Sequence, residues 1–262
     1  MSAFSRAASE STTMLRRNLR HTLRYPTTIV ISLVTPTILL LLFVNVFGGA
    51  LSAGVGIGSQ GGKYIDYMAP GSLLLTLCYG ASTTAVIVNR DMTEGIIARF
   101  RTMPISRAAV STGHVLEAMI RMMASGGLVM GVAVLMGFRP AAGPVGWLAA
   151  IGVLAMFAFS LTCVAVAVGL LAKRSEGTVP FGIAVQILPL ISSAFAPTET
   201  MPGAVAWFAS HEPFTPVTDT LRGLLMGTPV GDSVTPAVAW CAGFVLAGYL
   251  WARAWFKRDP VR

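Results

Sequence analysis

Charge is what this sequence has least of. Only 11% of its 262 residues are Asp, Glu, Lys or Arg, against roughly a quarter in an average soluble domain, and 54% are hydrophobic. A chain so poor in solvating side chains is expected to be a membrane protein. Cysteine is scarce as well. Cys78, Cys163 and Cys241 fall one each inside apolar runs without ligand spacing and read as small buried residues. His21, His114 and His211 lie on separate segments, none with a second His or Cys at metal spacing, so no metal site is expected. The sequence also lacks a nucleophile elbow, an H-E-x-x-H helix and paired carboxylates inside an apolar run. No catalytic residue is assigned.

A complete nucleotide-binding loop is missing too. GIGSQG at 56–61 fits G-x-G-x-x-G, and Gly61, Gly62 and Lys63 resemble the end of a phosphate loop. A dinucleotide fingerprint must follow a strand and open a helix, whereas this one follows an apolar run; a phosphate loop would need Gly at Ile57 and Ser or Thr at Tyr64. Any ATP is therefore expected on another chain.

What is present is a set of long uncharged intervals: Pro26 to Gly62, Tyr67 to Asn89, Met122 to Phe138, Pro140 to Ala172, Gly177 to Thr198 and Ser233 to Ala252. A spanning helix needs about 20 mostly apolar residues. The intervals are continuously apolar and do not alternate, which favours helices over barrel strands. Six spans are predicted near Thr28 to Phe47, Tyr67 to Val88, Glu117 to Phe138, Val145 to Leu171, Thr178 to Phe195 and Thr235 to Arg253. With both termini on one side, that side receives Arg6, Arg16, Arg17, Arg20, Arg24, Arg90, Arg99, Arg101, Arg107, Arg121, Lys173, Arg174, Arg253, Lys257, Arg258 and Arg262, and the other only Lys63, Arg139 and Arg222. Sixteen against three makes both termini cytoplasmic by the positive-inside rule. The net charge of +8 is then a topology signal and an attraction to anionic lipid, and no nucleic-acid partner is called for. The first run is too long for a cleavable signal peptide and carries Pro36, so it is expected to remain. Before it, Met14, Leu15, Leu19 and Leu23 share a sector flanked by arginines, as in an amphipathic helix lying on the membrane surface.

One dense charged stretch, RDMTEGIIARFRTMPISR at 90–107, separates the second and third runs. Asp91 and Glu94 suit the first turn of a short helix. Met92, Ile96, Phe100 and Met103 then form an apolar stripe opposite Arg90, Asp91, Glu94 and Arg101. Pro104 is expected to end this helix.

With six spans, a basic N-terminal helix and RDMTEGIIARFRTMPISRAAVSTGHVLEAMIR between spans two and three, the sequence resembles the permease subunits of type-2 ABC exporters, particularly the daunorubicin-resistance group, over nearly its whole length. The resemblance implies an all-α polytopic membrane protein of six transmembrane helices. It adds a cytoplasmic amphipathic N-terminal helix, a coupling helix between spans two and three, and short extracellular helices between spans five and six. On that basis 1–26 is a cytoplasmic segment, 27–256 the bundle and 257–262 a cytoplasmic tail of a single domain in the bacterial cytoplasmic membrane. The family's coupling pattern falls on Asp91, Glu94, Gly95, Arg99, Phe100, Arg101, Met103, Pro104, Ser106 and Arg107, which would seat against a separate ATPase. Also implied are two ATPase copies carrying ATP and Mg, and a second permease copy. Independently, Pro216 and Gly227 frame a helix from Val217 to Met226 in the acidic loop before the last span.

In such permeases the first, second and fifth spans line the path, making Asn45, Thr76, Thr83, Phe181, Gln186 and Phe195 candidate path residues. Gly127 and Gly131 form a GxxxG suited to close helix approach. Glu117 and Arg121, four apart, are expected to pair with each other. Pro180 and Pro189 are expected to bend the fifth span. Three functions remain open: export of amphipathic small molecules such as drugs, antibiotics or lipids; movement of a polymer or lipid-linked glycan; and a non-transporting sensor or immunity subunit.

Overall fold

The computed structural model describes residues 26–46, 48, 64–93, 107–172 and 174–258. The basic N-terminal segment, the GIGSQG loop and residues 94–106 lie outside the described residues, as does the C-terminal tail from 259. Among the described residues every regular element is helical: α1 (Pro26–Asn45), α2 (Tyr64–Thr93), α3 (Arg107–Leu135), α4 (Pro144–Leu171), α5 (Val179–Ile187), α6 (Gly203–His211), α7 (Phe214–Met226) and α8 (Val234–Arg258), with 3₁₀ turns at Ser175–Thr178, Leu188–Ile191, Thr198–Thr200 and Gly231–Ser233.

Four of the predicted spans correspond to stretches long and apolar enough to cross a membrane: Tyr64–Thr93, Thr112–Leu135, Pro144–Leu171 and Gly231–Arg253. With 30 residues, α2 is about 45 Å long, against a hydrocarbon core of about 30 Å. α1 and the Ser175–Ile191 stretch are shorter apolar helices. At the end of α3 the Gly137 N–H bonds Val134 O and the Phe138 N–H bonds Ala133 O, with Gly137 at φ 106°. This paired closure lets only a glycine-like backbone turn out of the helix, and it buries Phe138.

The fifth interval departs from expectation. In place of one helix from Thr178 to Phe195, α5 ends at Ile187, tightens into the turn Leu188–Ile191 and becomes extended at Ser192. Pro180 sits in the first turn of α5, where no bend results. Pro189 cannot donate to the helical ladder. Ser192 and Ser193 then replace the lost helical bonds: Ser192 Oγ donates to Pro189 O at 2.7 Å and accepts the Ala194 N–H at 3.0 Å, while the Ser193 N–H donates to Thr215 Oγ1 at 3.0 Å.

α2 is the central post. It packs on α1, α3, α4, α5 and α7, and small residues bring its neighbours close. A Cβ added at Gly71 would stand 2.6 Å from Ala194 O, at Gly80 2.6 Å from Met122 Cγ, at Gly182 2.6 Å from Ser82 Oγ, and at Gly169 2.7 Å from Ala85 O. α8 reaches α4 in the same way, since a Cβ added at Gly248 would stand 2.7 Å from the Cys163 carbonyl. The GxxxG of α3 is different: a Cβ added at Gly127 or Gly131 meets nothing within 4 Å. The close approach expected there is not made within this chain. Gly248→Ala is therefore expected to cost about 1–3 kcal/mol, because rigid backbone must give way, whereas Gly131→Ala is expected to gain about 0.5–1 kcal/mol of helix propensity. Thermal unfolding of the purified variants checks the opposite signs; a loss at both positions would refute the packing assignment.

Candidate functional site

The end of the bundle where α2 finishes and α3 begins carries buried charge. α2 runs unbroken to Thr93, which places Asp91 and Met92 in its last turn and corrects the expectation that Asp91 opens a separate helix. A carboxylate is poorly placed at a helix C-terminus, and this one is compensated across the bundle: Asp91 Oδ2 lies 3.5 Å from His114 Nε2 on α3, both side chains largely buried. Two turns deeper, Arg121 Nε donates to Glu117 Oε1 at 3.1 Å and Arg121 Nη2 to Thr84 Oγ1 on α2 at 2.8 Å, with the two charged side chains only 3% and 4% exposed. The expected Glu117–Arg121 pair is thus present, and it reaches across to α2. Asn89 Nδ2 donates to the Gly169 and Ala172 carbonyls of α4 and its junction. Charged groups this deep persist only when paired. Here they fasten α2 to α3 on either side of the 94–106 stretch.

The other end of the bundle is closed by α7. Its framing glycine is as predicted, Gly227 at φ 68° with its N–H bonded to Gly223 O, but the helix starts at Phe214, three residues before Val217. α7 is not a surface cap. Phe214, Val217, Leu221 and Leu225 are buried, and the Phe214 ring meets Phe157 of α4 edge-on at 5.6 Å. Arg222 organises the polar contacts. Its Nη1 donates to Asp219 Oδ1 at 2.6 Å, Nη2 to Ser193 O at 2.7 Å and Nε to Tyr67 O at 3.3 Å, and the guanidinium lies 3.8 Å from the Tyr67 ring centroid. Tyr67 OH donates to Ser193 O at 2.7 Å, Ser193 Oγ to Asp219 Oδ1 at 2.8 Å, and Tyr64 OH to Phe195 O at 3.0 Å. The start of α2, the broken end of the fifth interval and α7 are locked together. Beside Asp219 lies a cavity of about 360 Å³ walled by His211, Asp232 and Trp240.

Glu212, just before α7, is 4% exposed. Its Oε1 accepts the Thr215 N–H at 2.7 Å, and Oε2 has no partner among the described residues. Burial raises its carboxyl from 4.5 to about 7, outweighing hydrogen bonds from Phe214 and Thr215 that lower it. The folded protein holds the proton more tightly than the unfolded chain. This contribution to stability is complete below pH 4.5 and is lost as pH rises towards 7. Thermal midpoints are expected to fall across that window and to flatten in Glu212→Gln; an unchanged slope in the variant would assign the dependence elsewhere.

The six candidate path residues are dispersed. Asn45 ends α1, exposed, its Nδ2 bonded to Leu41 O. Thr76 is fully buried and donates to Ser72 O. Thr83 is half-buried and donates to Tyr79 O. Phe181 and Gln186 are half-buried on α5. Phe195 meets Phe43 of α1 with the rings tilted at 49° and their centroids 5.2 Å apart. None of the six lines the cavity beside Asp219. Sequence reasoning missed Tyr67, Ser193, Asp219, His114 and Thr84. The i,i+3 spacing of Asp219 and Arg222 was the one available signal.

A helical bundle with four helices long and apolar enough to cross a membrane, pinned by buried charge at one end and by the buried α7 at the other, is built as a multi-pass membrane protein. A profile of the ABC-2 type transporter family matches residues 10–226, and the chain belongs to that family as the permease subunit of an ABC transporter. It is 28% identical over 242 residues to a daunorubicin resistance ABC transporter permease protein, DrrB1, of Streptomyces coeruleorubidus, covering 92% of this chain and 80% of the relative. It is 24% identical over 216 residues, 82% of this chain and 76% of the relative, to the "Probable doxorubicin resistance ABC transporter permease protein DrrC" of Mycobacterium tuberculosis.

Proposed function

We propose that this chain exports amphipathic small molecules across the bacterial cytoplasmic membrane, driven by ATP and Mg on a separate ATPase. The family match, with drug-resistance permeases aligned over most of the chain, carries this reading. In it the chain crosses the membrane six times with both termini cytoplasmic, as the lysine and arginine distribution favours. The broken fifth stretch makes a short crossing, and α7 fills the remaining depth from outside. Two permease copies work with two ATPases.

The coupling element is Asp91, Glu94, Gly95, Arg99, Phe100, Arg101, Met103, Pro104 and Arg107. ATP-driven closure of the ATPases moves this element only if it binds the two states unequally. α2 and α3, fastened by Glu117, Arg121 and Thr84, then move as one lever instead of sliding past each other. At the far end that lever carries Tyr67, and hence the Arg222 cluster that closes the outer side. Lifting α2 strains the Ser193 and Arg222 contacts together, so opening outside and ATPase closure inside become one transition.

Arg101→Glu is expected to weaken co-purification with the ATPase by at least tenfold and to abolish substrate-stimulated ATP turnover, since like charge at an interface costs several kcal/mol. Phe100→Ala is expected to cost about 2 kcal/mol of association, as for an apolar anchor. Neither touches a spanning helix, so membrane abundance should be unchanged. Intact complex and intact coupling in both variants would overturn the assignment.

A further inference from the structure

Between α2, α3 and α4 lies a groove of about 260 Å³ lined by Leu73, Leu77, Met123, Met130, Trp147 and Leu154 together with Gly126, Gly127 and Ile151. Leu73 and Leu77 form its floor, each 1% exposed, while Ile151 at 47% and the exposed Gly127 stand at its mouth. No lining side chain is charged. The only side-chain hydrogen-bonding atom is the indole N–H of Trp147, on the first turn of α4, where an amphipathic ring suits the membrane interface.

The glycine pair points to an occupant. A Cβ added at Gly126 or Gly127 meets nothing within 4 Å. Adjacent glycines weaken a helix interior, and elsewhere in this chain that cost is exchanged for close packing, as at Gly80, Gly169 and Gly248. Here no closer contact is gained within the chain; what the pair does is keep the groove open. An apolar void forfeits contacts along its whole lining, and water would find no polar partners to hold it. The groove lies among three helices long enough to cross a membrane, so the medium at its mouth is hydrocarbon.

We propose that this groove holds one acyl chain of a membrane phospholipid, entering from the leaflet at the α3–α4 turn with its headgroup beyond Trp147. The volume is below the roughly 300–1,000 Å³ of pockets that enclose whole small molecules and suits a length of single chain. A helix of a second copy, about 10 Å across with its side chains, is too wide to enter. No charged group is present to select a transported molecule. Met123 and Met130, unbranched and polarizable, adapt the walls to a chain of variable conformation. The lipid thereby completes the packing of α3 where protein side chains leave it open.

The test uses the full chain in phosphatidylethanolamine and phosphatidylglycerol bilayers, doped with phosphatidylglycerol carrying a photoreactive diazirine on one acyl chain, without ATP, so that its result is independent of the transport reading. Labelling at Met123 and Met130 is expected to exceed several-fold that at the lipid-exposed Leu128 and Leu148. Gly126→Leu should reduce the groove labelling at least tenfold and leave Leu128 and Leu148 unchanged. Gly126→Ala, whose Cβ meets nothing, folds regardless and should reduce it by a smaller factor. Labelling in the groove no higher than at Leu128, or indifferent to both substitutions, overturns the proposal. So does a cross-link from a second copy at Met123, or displacement of the label by daunorubicin, the two other occupants the groove would then have.

Discussion

Replacing Arg121 by leucine is expected to destabilise the protein by about 3–5 kcal/mol, the cost of breaking a buried ion pair from one side. Arg121 bridges Glu117 on its own helix and Thr84 on α2, with both charged side chains almost entirely enclosed. Removing it takes the paired cation from the buried Glu117 carboxylate and unfastens α3 from α2 at one stroke. Against a total stability of order 5–15 kcal/mol, the single variant should lose most of its folded yield in the membrane. The double variant Glu117→Leu with Arg121→Leu removes both charges of the pair. Buried ion pairs replaced together by apolar residues are often neutral or more stable by about 1–4 kcal/mol, so the double should recover the thermal midpoint that the single loses. A double-mutant cycle on thermal unfolding in detergent isolates the coupling. If the two single variants sum to the double, the pair is not the fastening element described.

The four long helices were legible because hydrocarbon demands what the uncharged intervals display: a run long enough to cross, with no side chain that needs water. Their ends were less so. Counting from the first charge stops the second span at Val88, yet α2 continues to Thr93, because backbone hydrogen bonding does not end where hydropathy does and Asp91 finds His114 across the bundle. The prolines of the fifth stretch were visible, but the position of the break is fixed by Thr215, 22 residues further on, accepting the Ser193 N–H. No local pattern carries that information. The acidic loop before the last span reads as exposed, whereas Asp219 and Glu212 act inward: one fixes Arg222, and the other is buried against the start of α7. Glycine spacing on α3 is equally silent about whether small residues meet a neighbouring helix or face open space. Gly127 and Gly131 face open space within this chain, while Gly169 and Gly248 do bring helices together.

Arg222→Ala is the second large effect expected, at about 2–4 kcal/mol, since hydrogen bonds to a charged group each contribute about 1.5–3 kcal/mol and are not additive. Asp219 is 39% exposed, so its ion pair is discounted for solvent screening, and most of the loss comes from the guanidinium's bonds to the Ser193 and Tyr67 carbonyls, of which Ser193 O keeps the Tyr67 hydroxyl as its donor, and from the uncovered Tyr67 ring. Arg222→Lys should recover less than half of it. An ammonium has no planar fork to reach Asp219, Ser193 and Tyr67 together, and it stacks poorly on the ring. Asp219→Asn should cost about 1 kcal/mol, because Ser193 Oγ still has an acceptor and the guanidinium keeps both carbonyls. The damage should be local. Hydrogen exchange in Arg222→Ala is expected to rise at 191–197 and across α7, the segments that Arg222 ties to α2, while α3 and the buried half of α4 keep their protection. If α7 is the element that closes the bundle, the same variant, at equal membrane abundance, should raise basal ATP turnover of the complex without substrate. Unchanged exchange at 191–197, or a uniform rise over all helices, would remove Arg222 from the role of a latch between α2, α7 and the broken fifth stretch.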